Sequence, residues 1–184
     1  MKLAEEITIS IAGEDVELRP TLRLALQWER RPGGFSRVLR DLDDLSLSTA
    51  ADLIADHDPH PLIINRVFDA GLVNLREPLV RYVLALAGVD PENVEKAATS
   101  KGKTVPLATH LTELYRLATG WLGWTPDVAL DATPTEIMEA FKGREAMLQA
   151  IFGTGGKGKA KDPRPLDQKV RDLFAGRARR EPAA

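Results

Sequence analysis

Helical periodicity, interrupted at intervals by proline and glycine, is the feature that most limits how this 184-residue chain can fold. From Pro20 onward, apolar residues recur every three or four positions, which places their side chains on one face of an α-helix. Breaks at Pro32-Gly33-Gly34 and at Asp58-Pro59-His60-Pro61 divide the pattern into short helices. The sequence therefore predicts a mostly α fold, a multi-helix bundle. The clearest apolar stripes are Phe35, Val38, Leu39 and Leu42, and Leu107, Leu111, Leu114, Ala118, Trp121 and Leu122.

Helix starts and two weaker stripes complete this pattern. Thr21 and either Ser48 or Thr49 are predicted to cap helices, and Thr133-Pro134-Thr135-Glu136 has the form of a capping box. We expect each weaker stripe to form one apolar helix face, with Gly71 weakening the first helix and Gly143 as a candidate break in the second. These stripes are Ile63, Val67 and Phe68, and Ile137, Phe141, Leu148, Ile151 and Phe152.

The first twenty residues follow a different period. Apolar residues alternate with polar ones from Ile7 to Ile11 and again at Val16 and Leu18, which is the pattern of half-buried strands. Ala12-Gly13-Glu14-Asp15 between them is a plausible turn. The pattern predicts an N-terminal β-hairpin, which must pack on the helices or pair at its edge because an isolated hairpin is only marginally stable.

Charge and composition change after Phe152. Residues 1–152 contain 16 Lys and Arg against 23 Asp and Glu, whereas residues 153–184 contain 9 against 4. The stretch from Gly153 to Pro165 is rich in Gly, Lys and Pro, which predicts a flexible basic C-terminal tail. We therefore expect three regions. They are a hairpin with helices at 1–58, a helical region at 59–152 and the tail at 153–184.

The tail carries one apolar cluster and many basic residues. Leu166, Val170, Leu173 and Phe174 are spaced for a short helix, too small to form a core, that docks on a partner. Lys and Arg in such a tail can bind phosphates. The tail lacks the interleaved aromatic residues of a base-stacking surface, which favours a role in solubility or contact with an acidic surface over a nucleic-acid partner. An adaptor that binds nucleic acid through this tail is an alternative function.

No pattern of catalytic or metal-binding residues stands out. The run from Gly153 to Ala160 resembles a phosphate-binding loop, but Ala160 occupies the position that needs Ser or Thr. Ser100 to Lys103 has the Ser-x-x-Lys spacing without its partner motifs. His57, Asp58 and His60 cluster in a turn, although a closed metal site needs three or four converging ligands. We predict a protein that is not an enzyme and uses no cofactor or metal.

The sequence also predicts where the protein is found. No apolar run reaches the roughly 18 residues that a membrane span requires, and the residues after Met1 lack a signal-peptide cleavage pattern. The chain has no cysteine, which is compatible with a reducing compartment. We expect a cytoplasmic protein with no membrane association.

The segment Trp121-Leu122-Gly123-Trp124 contains two of the three tryptophans of the chain. Two interpretations remain open, since tryptophan anchors helix packing in cores and is also frequent in binding surfaces. Under the second interpretation, replacing Trp124 with alanine weakens partner binding and leaves helix content intact. The residues expected to contact a partner are Trp121, Leu122, Trp124, Pro126, Ile137 and Phe141 as one patch, with Leu166, Val170 and Phe174 as a docking peptide.

Two stretches together resemble a known family. Glu17-Leu18-Arg19-Pro20-Thr21-Leu22 follows the hairpin and is similar to the start of phage tail assembly chaperones and of related proteins from gene transfer agents. The segment from Gly120 to Phe141 contains Gly-Trp-Leu-Gly-Trp-Thr-Pro-Asp and then Ala-Thr-Pro-Thr-Glu-Ile. This segment is similar to a small companion segment encoded beside those chaperones. The two resemblances cover roughly residues 5–55 and 115–142.

The resemblance implies a role in building a phage tail. Such chaperones bind the long helical tape measure protein and help to recruit tail tube subunits, and they are absent from the finished virion. The implied location is the cytoplasm of the host cell, and self-association is possible. A structural virion protein, either a minor tail component or a head–tail connector, is the main alternative.

Overall fold

The secondary structure is mostly helical and begins with a two-stranded antiparallel sheet, which confirms the predicted fold class. In the computed structural model, the residues described are 7–89 and 105–153. The predicted tail and docking peptide, including Leu166, Val170 and Phe174, lie outside these residues, as does the Ser100 to Lys103 loop. The elements are β1 (Ile7–Ile11), β2 (Glu14–Leu18), α1 (Leu22–Glu29), α2 (Gly34–Asp43), α3 (Leu47–Ala55), α4 (Ile63–Ala70), α5 (Leu72–Leu86), α6 (Leu107–Arg116), a π-helical turn (Leu117–Trp121), α7 (Pro126–Asp131) and α8 (Pro134–Phe152).

The hairpin closes through a two-residue turn, which is shorter than the four-residue turn predicted. Ile11 pairs with Glu14, and the register runs on to Ile7 opposite Leu18. Ala12 and Gly13 have φ angles of 53° and 82°, as a type I′ turn requires, because that turn follows the right-handed twist of the strands. The apolar residues of both strands face the core, as the alternation predicts.

Side-chain caps set the starts of several helices. The Thr21 hydroxyl accepts a hydrogen bond from the Leu24 N–H at 3.3 Å, as predicted. Helix α3 begins earlier than predicted, because Ser46 rather than Ser48 or Thr49 is its N-cap. Capping needs an extended residue just outside the first turn, and Ser46 has that conformation, with φ −67° and ψ 111°.

A reciprocal capping box begins α8, as the Thr-Pro-Thr-Glu pattern predicts. The Thr133 N–H donates to the Glu136 carboxylate at 2.8 Å, and the Glu136 N–H donates to the Thr133 hydroxyl at 3.1 Å. The helix then runs through Gly143 without the predicted break. A glycine inside a helix weakens it only modestly.

One hydrophobic core joins the hairpin to the helices on both sides of residue 58. Strand β1 packs on α4 and α5, and α1 packs on α5, α6 and α7. The Leu22 N–H donates to the Ala132 carbonyl at 2.8 Å, which links the start of α1 to the end of α7. The predicted ranges 1–58 and 59–152 thus share a core. One compact unit ends at Met147, and a second begins at Leu148.

Two predicted apolar faces are only partly buried. In α4, Val67 is fully buried but Phe68 is 69% exposed, so Phe68 does not belong to the buried stripe. In α8, Ile137 is fully buried. Ile151 and Phe152, in the unit that begins at Leu148, are exposed. Within the described ranges, no helix combines the length and hydropathy that crossing a bilayer requires.

Candidate functional site

A π-helical turn places Trp121 on the surface. The Leu122 N–H donates to the Leu117 carbonyl five residues earlier, at 3.0 Å, and the Trp124 N–H donates to the Ala118 carbonyl at 3.0 Å. A π turn contains an extra residue, so the side chains after it no longer follow the α-helical stripe. Ala118 therefore remains buried while Trp121 is 60% exposed, against the continuous stripe that the sequence predicts.

Trp121 pairs with Phe141 across two elements. The two rings meet edge to face, with centroids 6.3 Å apart and planes at 81°, an arrangement that aromatic quadrupoles favour. Phe141 is half-buried, and Leu122, next to Trp121, is half-buried as well. Pro126 is exposed at the start of α7, which lies beside the π turn. We call Trp121, Leu122, Pro126 and Phe141 the Trp121 surface.

Two residues predicted for the contact patch belong wholly or partly to the core. Ile137 is fully buried, so no partner can reach it in this fold. The expectation that Ile137 contacts a partner is therefore corrected. Its position in the first turn of α8 directs its side chain inward, among the buried residues that also include Leu114. Trp124 is half-buried and packs against the same core.

A second apolar surface, which the sequence interpretation missed, lies around α4. Leu62, Ile64, Phe68 and Val73 are all exposed, and we call these four residues the α4 surface. Ile64 and Phe68 are four positions apart, so they lie on the same side of the helix. The signal in the sequence is the pair of apolar doublets, Ile63-Ile64 and Val67-Phe68. A helix that buries one stripe leaves the second member of each doublet outside.

The His57 cluster consists of structural pairs. The hydroxyl of Tyr82, which is buried, and the Nε2 atom of His57 are 2.8 Å apart. Burial lowers the pKa of His57, although Asp56 and Glu17 act against this shift. Burial, with a contribution from Asp56, raises the pKa of Tyr82. At neutral pH the hydroxyl therefore stays protonated and the imidazole stays neutral, and the two groups share one hydrogen bond whose direction is set by the imidazole tautomer.

The acidic neighbours of His57 also make hydrogen bonds or ion pairs within the chain. Asp56 accepts a hydrogen bond from the indole N–H of Trp28 at 2.7 Å. Asp58 pairs with Arg66 at 2.8 Å, and the same guanidinium reaches Glu14 at the hairpin turn. Over residues 7–89 and 105–153, no group of three or more His, Asp or Glu is arranged to hold a metal ion.

A small cavity lies between α2, α3 and α5. Leu42, Ala50 and Leu79 line it, and its volume is about 10 Å³. This volume holds about one water molecule, so the cavity is too small for a substrate or cofactor. We therefore take the exposed apolar surfaces, and not this cavity, as the candidates for a functional site.

Comparison of the chain with protein-family models, curated proteins and solved structures finds no match.

Proposed function

We propose that this protein is a tail assembly chaperone, which makes and breaks no covalent bond and acts by covering apolar helical surface on a tape measure protein. It would also help to recruit tail tube subunits in the host cytoplasm and would be absent from the mature virion. The observation that carries the proposal is the exposed indole of Trp121, paired with Phe141 in the Trp121 surface.

An exposed tryptophan leaves apolar surface in water that a partner could cover. An indole removes a large apolar area from water when it is buried, at roughly 25 cal/mol per Å². Trp121 leaves most of that area available to a partner. Tryptophan is frequent among the few residues that dominate binding energies, each contributing about 2 kcal/mol or more. A small number of such residues permits reversible binding, which a chaperone needs in order to release its client.

The two stretches that resemble the family meet in space, which supports treating them as one functional unit. Arg19, in the Leu-Arg-Pro-Thr stretch, lies 3.9 Å from the carboxylate of Glu136 in the Thr-Pro-Thr-Glu stretch. Arg23 pairs with Asp131 at 3.0 Å. Exposed ion pairs of this kind add little stability, so their value here is that they locate one stretch beside the other.

The test is co-production of the chain with a segment of a tape measure protein from a phage tail. We expect the full chain to keep the segment in the soluble fraction and to co-purify with it. Trp121→Ala should weaken binding about 30-fold, because it removes a contact of about 2 kcal/mol. Phe68→Ala is the matched control, since it removes an aromatic side chain that is similarly exposed on the α4 surface.

The results distinguish the chaperone function, the location of its client site and the alternative of a structural virion protein. If the unaltered chain leaves the segment insoluble and unbound, the chaperone function is wrong. If the segment binds and only Phe68→Ala weakens it, the function stands and the client site is the α4 surface. Detection of the chain in purified virions would instead identify a structural virion protein.

A further inference from the structure

We propose that the outer edge of β1 pairs with β1 of a second copy of this chain, so that two hairpins form one four-stranded antiparallel sheet. This proposal concerns a different surface from the Trp121 surface and does not depend on the chaperone function. It follows from the backbone hydrogen bonds that the hairpin leaves unmade and from the contrast between its two edges.

The register of the hairpin identifies the unpaired backbone groups. In a two-residue hairpin the closing pair exchanges both of its hydrogen bonds, and every second pair along the ladder does the same. Ile11 and Glu14 are the closing pair, so Thr8 and Ser10 direct their N–H and C=O groups away from β2. Over the ranges 7–89 and 105–153, no backbone group bonds to those of Thr8 or Ser10. An additional strand would satisfy them.

The two edges of the sheet differ in charge. Thr8 and Ser10 on β1 and Asp15 and Glu17 on β2 are all exposed. Natural proteins use charged residues, proline or bulges to keep exposed strand edges from pairing with other strands. Strand β2 has two carboxylates at its edge, which would repel a second β2. Strand β1 has none of these features, because its sequence is Ile-Thr-Ile-Ser-Ile.

The strand that pairs with the β1 edge comes from a second copy, because this edge is complementary to itself. With Ile9 placed opposite Ile9 of the second copy, Thr8 faces Ser10 of the second copy and Ser10 faces its Thr8. Each of these pairs then exchanges two backbone hydrogen bonds, and hydroxyl groups lie opposite each other, a favourable cross-strand combination. The arrangement has two-fold symmetry, as most dimers of identical chains do.

Sedimentation equilibrium on the full chain tests the pairing. We expect a monomer–dimer equilibrium for the unaltered protein. The double variant Thr8→Lys with Ser10→Lys places lysines opposite lysines across the two-fold axis, and it should raise the dimer dissociation constant at least about tenfold. The hairpin itself should tolerate the change, because the new lysines lie opposite Glu17 and Asp15 within the same chain.

The matched control is the double variant Asp15→Lys with Glu17→Lys, which changes the same number of residues on the other edge. Its dimer dissociation constant should not rise. A strictly monomeric protein at about 1 mM, or a dimer that the β1 variant leaves intact, would overturn the proposal, as would equal weakening by both double variants. In amide hydrogen exchange, Thr8 and Ser10 should become more protected as concentration rises, while Asp15 and Glu17 should not.

Discussion

Trp28 and Trp121 occupy opposite kinds of environment in the same molecule. Trp28 on α1 is only 3% exposed, its indole N–H donates to Asp56 at 2.7 Å, and the guanidinium of Arg31 lies 3.6 Å from the ring centroid. Trp121 is 60% exposed, and its ring contact is the edge-to-face pair with Phe141. Within the chain, the ring face of Trp28 contacts a guanidinium and its N–H has an acceptor, whereas Trp121 presents most of its ring to solvent.

The difference shows what each tryptophan contributes. Burial of Trp28 removes apolar area from water on folding, so its contribution is to stability. Trp121 contributes less to folding than Trp28 by the same measure, because it is 60% exposed. A large side chain that the fold leaves mostly exposed is available for a partner, and we therefore treat the Trp28 region as scaffold and the Trp121 surface as the candidate site.

The largest expected effect is that of Trp28→Ala. Removing a buried aromatic side chain should lower the free energy of unfolding by about 3–5 kcal/mol, because both transfer energy and packing are lost. For a chain of this size the melting temperature should fall by roughly 10 °C. Urea unfolding followed by circular dichroism measures the change. A loss below about 1 kcal/mol would mean that Trp28 is not a scaffold residue.

Asp56→Ala should have a smaller effect on the same region. It leaves the buried indole N–H of Trp28 without its acceptor, which should cost about 1–2 kcal/mol. Asp52→Ala is the control, since Asp52 makes an exposed ion pair with Arg31 at 3.4 Å, and such pairs contribute under about 1 kcal/mol. Equal losses for the two variants, measured by urea unfolding, would show that the indole hydrogen bond is unimportant.

Trp121→Ala should change stability less than Trp28→Ala. The loss should be about 1–2 kcal/mol, since the pair with Phe141 and the buried minority of the ring surface disappear. Helix content measured by circular dichroism should stay constant. A loss as large as that of Trp28→Ala would remove the distinction between scaffold and surface.

Trp124→Ala should lower the free energy of unfolding by an amount between the losses for Trp28→Ala and Trp121→Ala, because Trp124 packs against the core.

The pH dependence of stability is expected to include a contribution from His57. Its folded-state pKa lies below its ordinary value of 6.5 because of burial, so the unfolded chain binds the proton more readily. The contribution is fully present above pH 6.5 and is lost as pH falls through the lowered pKa. Between pH 7.5 and 5, His57→Gln should therefore lose less stability than the unaltered protein. Parallel pH profiles from urea unfolding would contradict this expectation.

Local patterns determined much of the fold because their causes are local. The alternation from Ile7 to Ile11 has the strand period, and the Thr21 and Thr133 caps act within one helical turn. These elements form where the sequence predicts them. Helix α3 starts a few residues before the predicted caps, because several hydroxyl residues, including Ser46, compete for the cap position there.

The site was less predictable because exposure depends on what each helix packs against. Ile137 and Phe141 share an apolar stripe, yet only Ile137 is fully buried. Phe68 is predicted on the same helix face as Val67, yet Val67 is buried and Phe68 is exposed, because the doublets of α4 contain more apolar residues than one helix face can bury. Leu166, Val170 and Phe174 remain a prediction from the sequence.

The sequence by itself determined the mostly helical class, the hairpin and its buried face, because periodicity and capping act over a few residues. Only the tertiary structure decided which apolar residues are left outside the core. Burial requires a neighbouring element from elsewhere in the chain, and the π turn before Leu122 changes which side of the helix meets that neighbour. The proposed function of Trp121 depends on that second kind of information, whereas the pairing proposed for the β1 edge depends on the register of the hairpin.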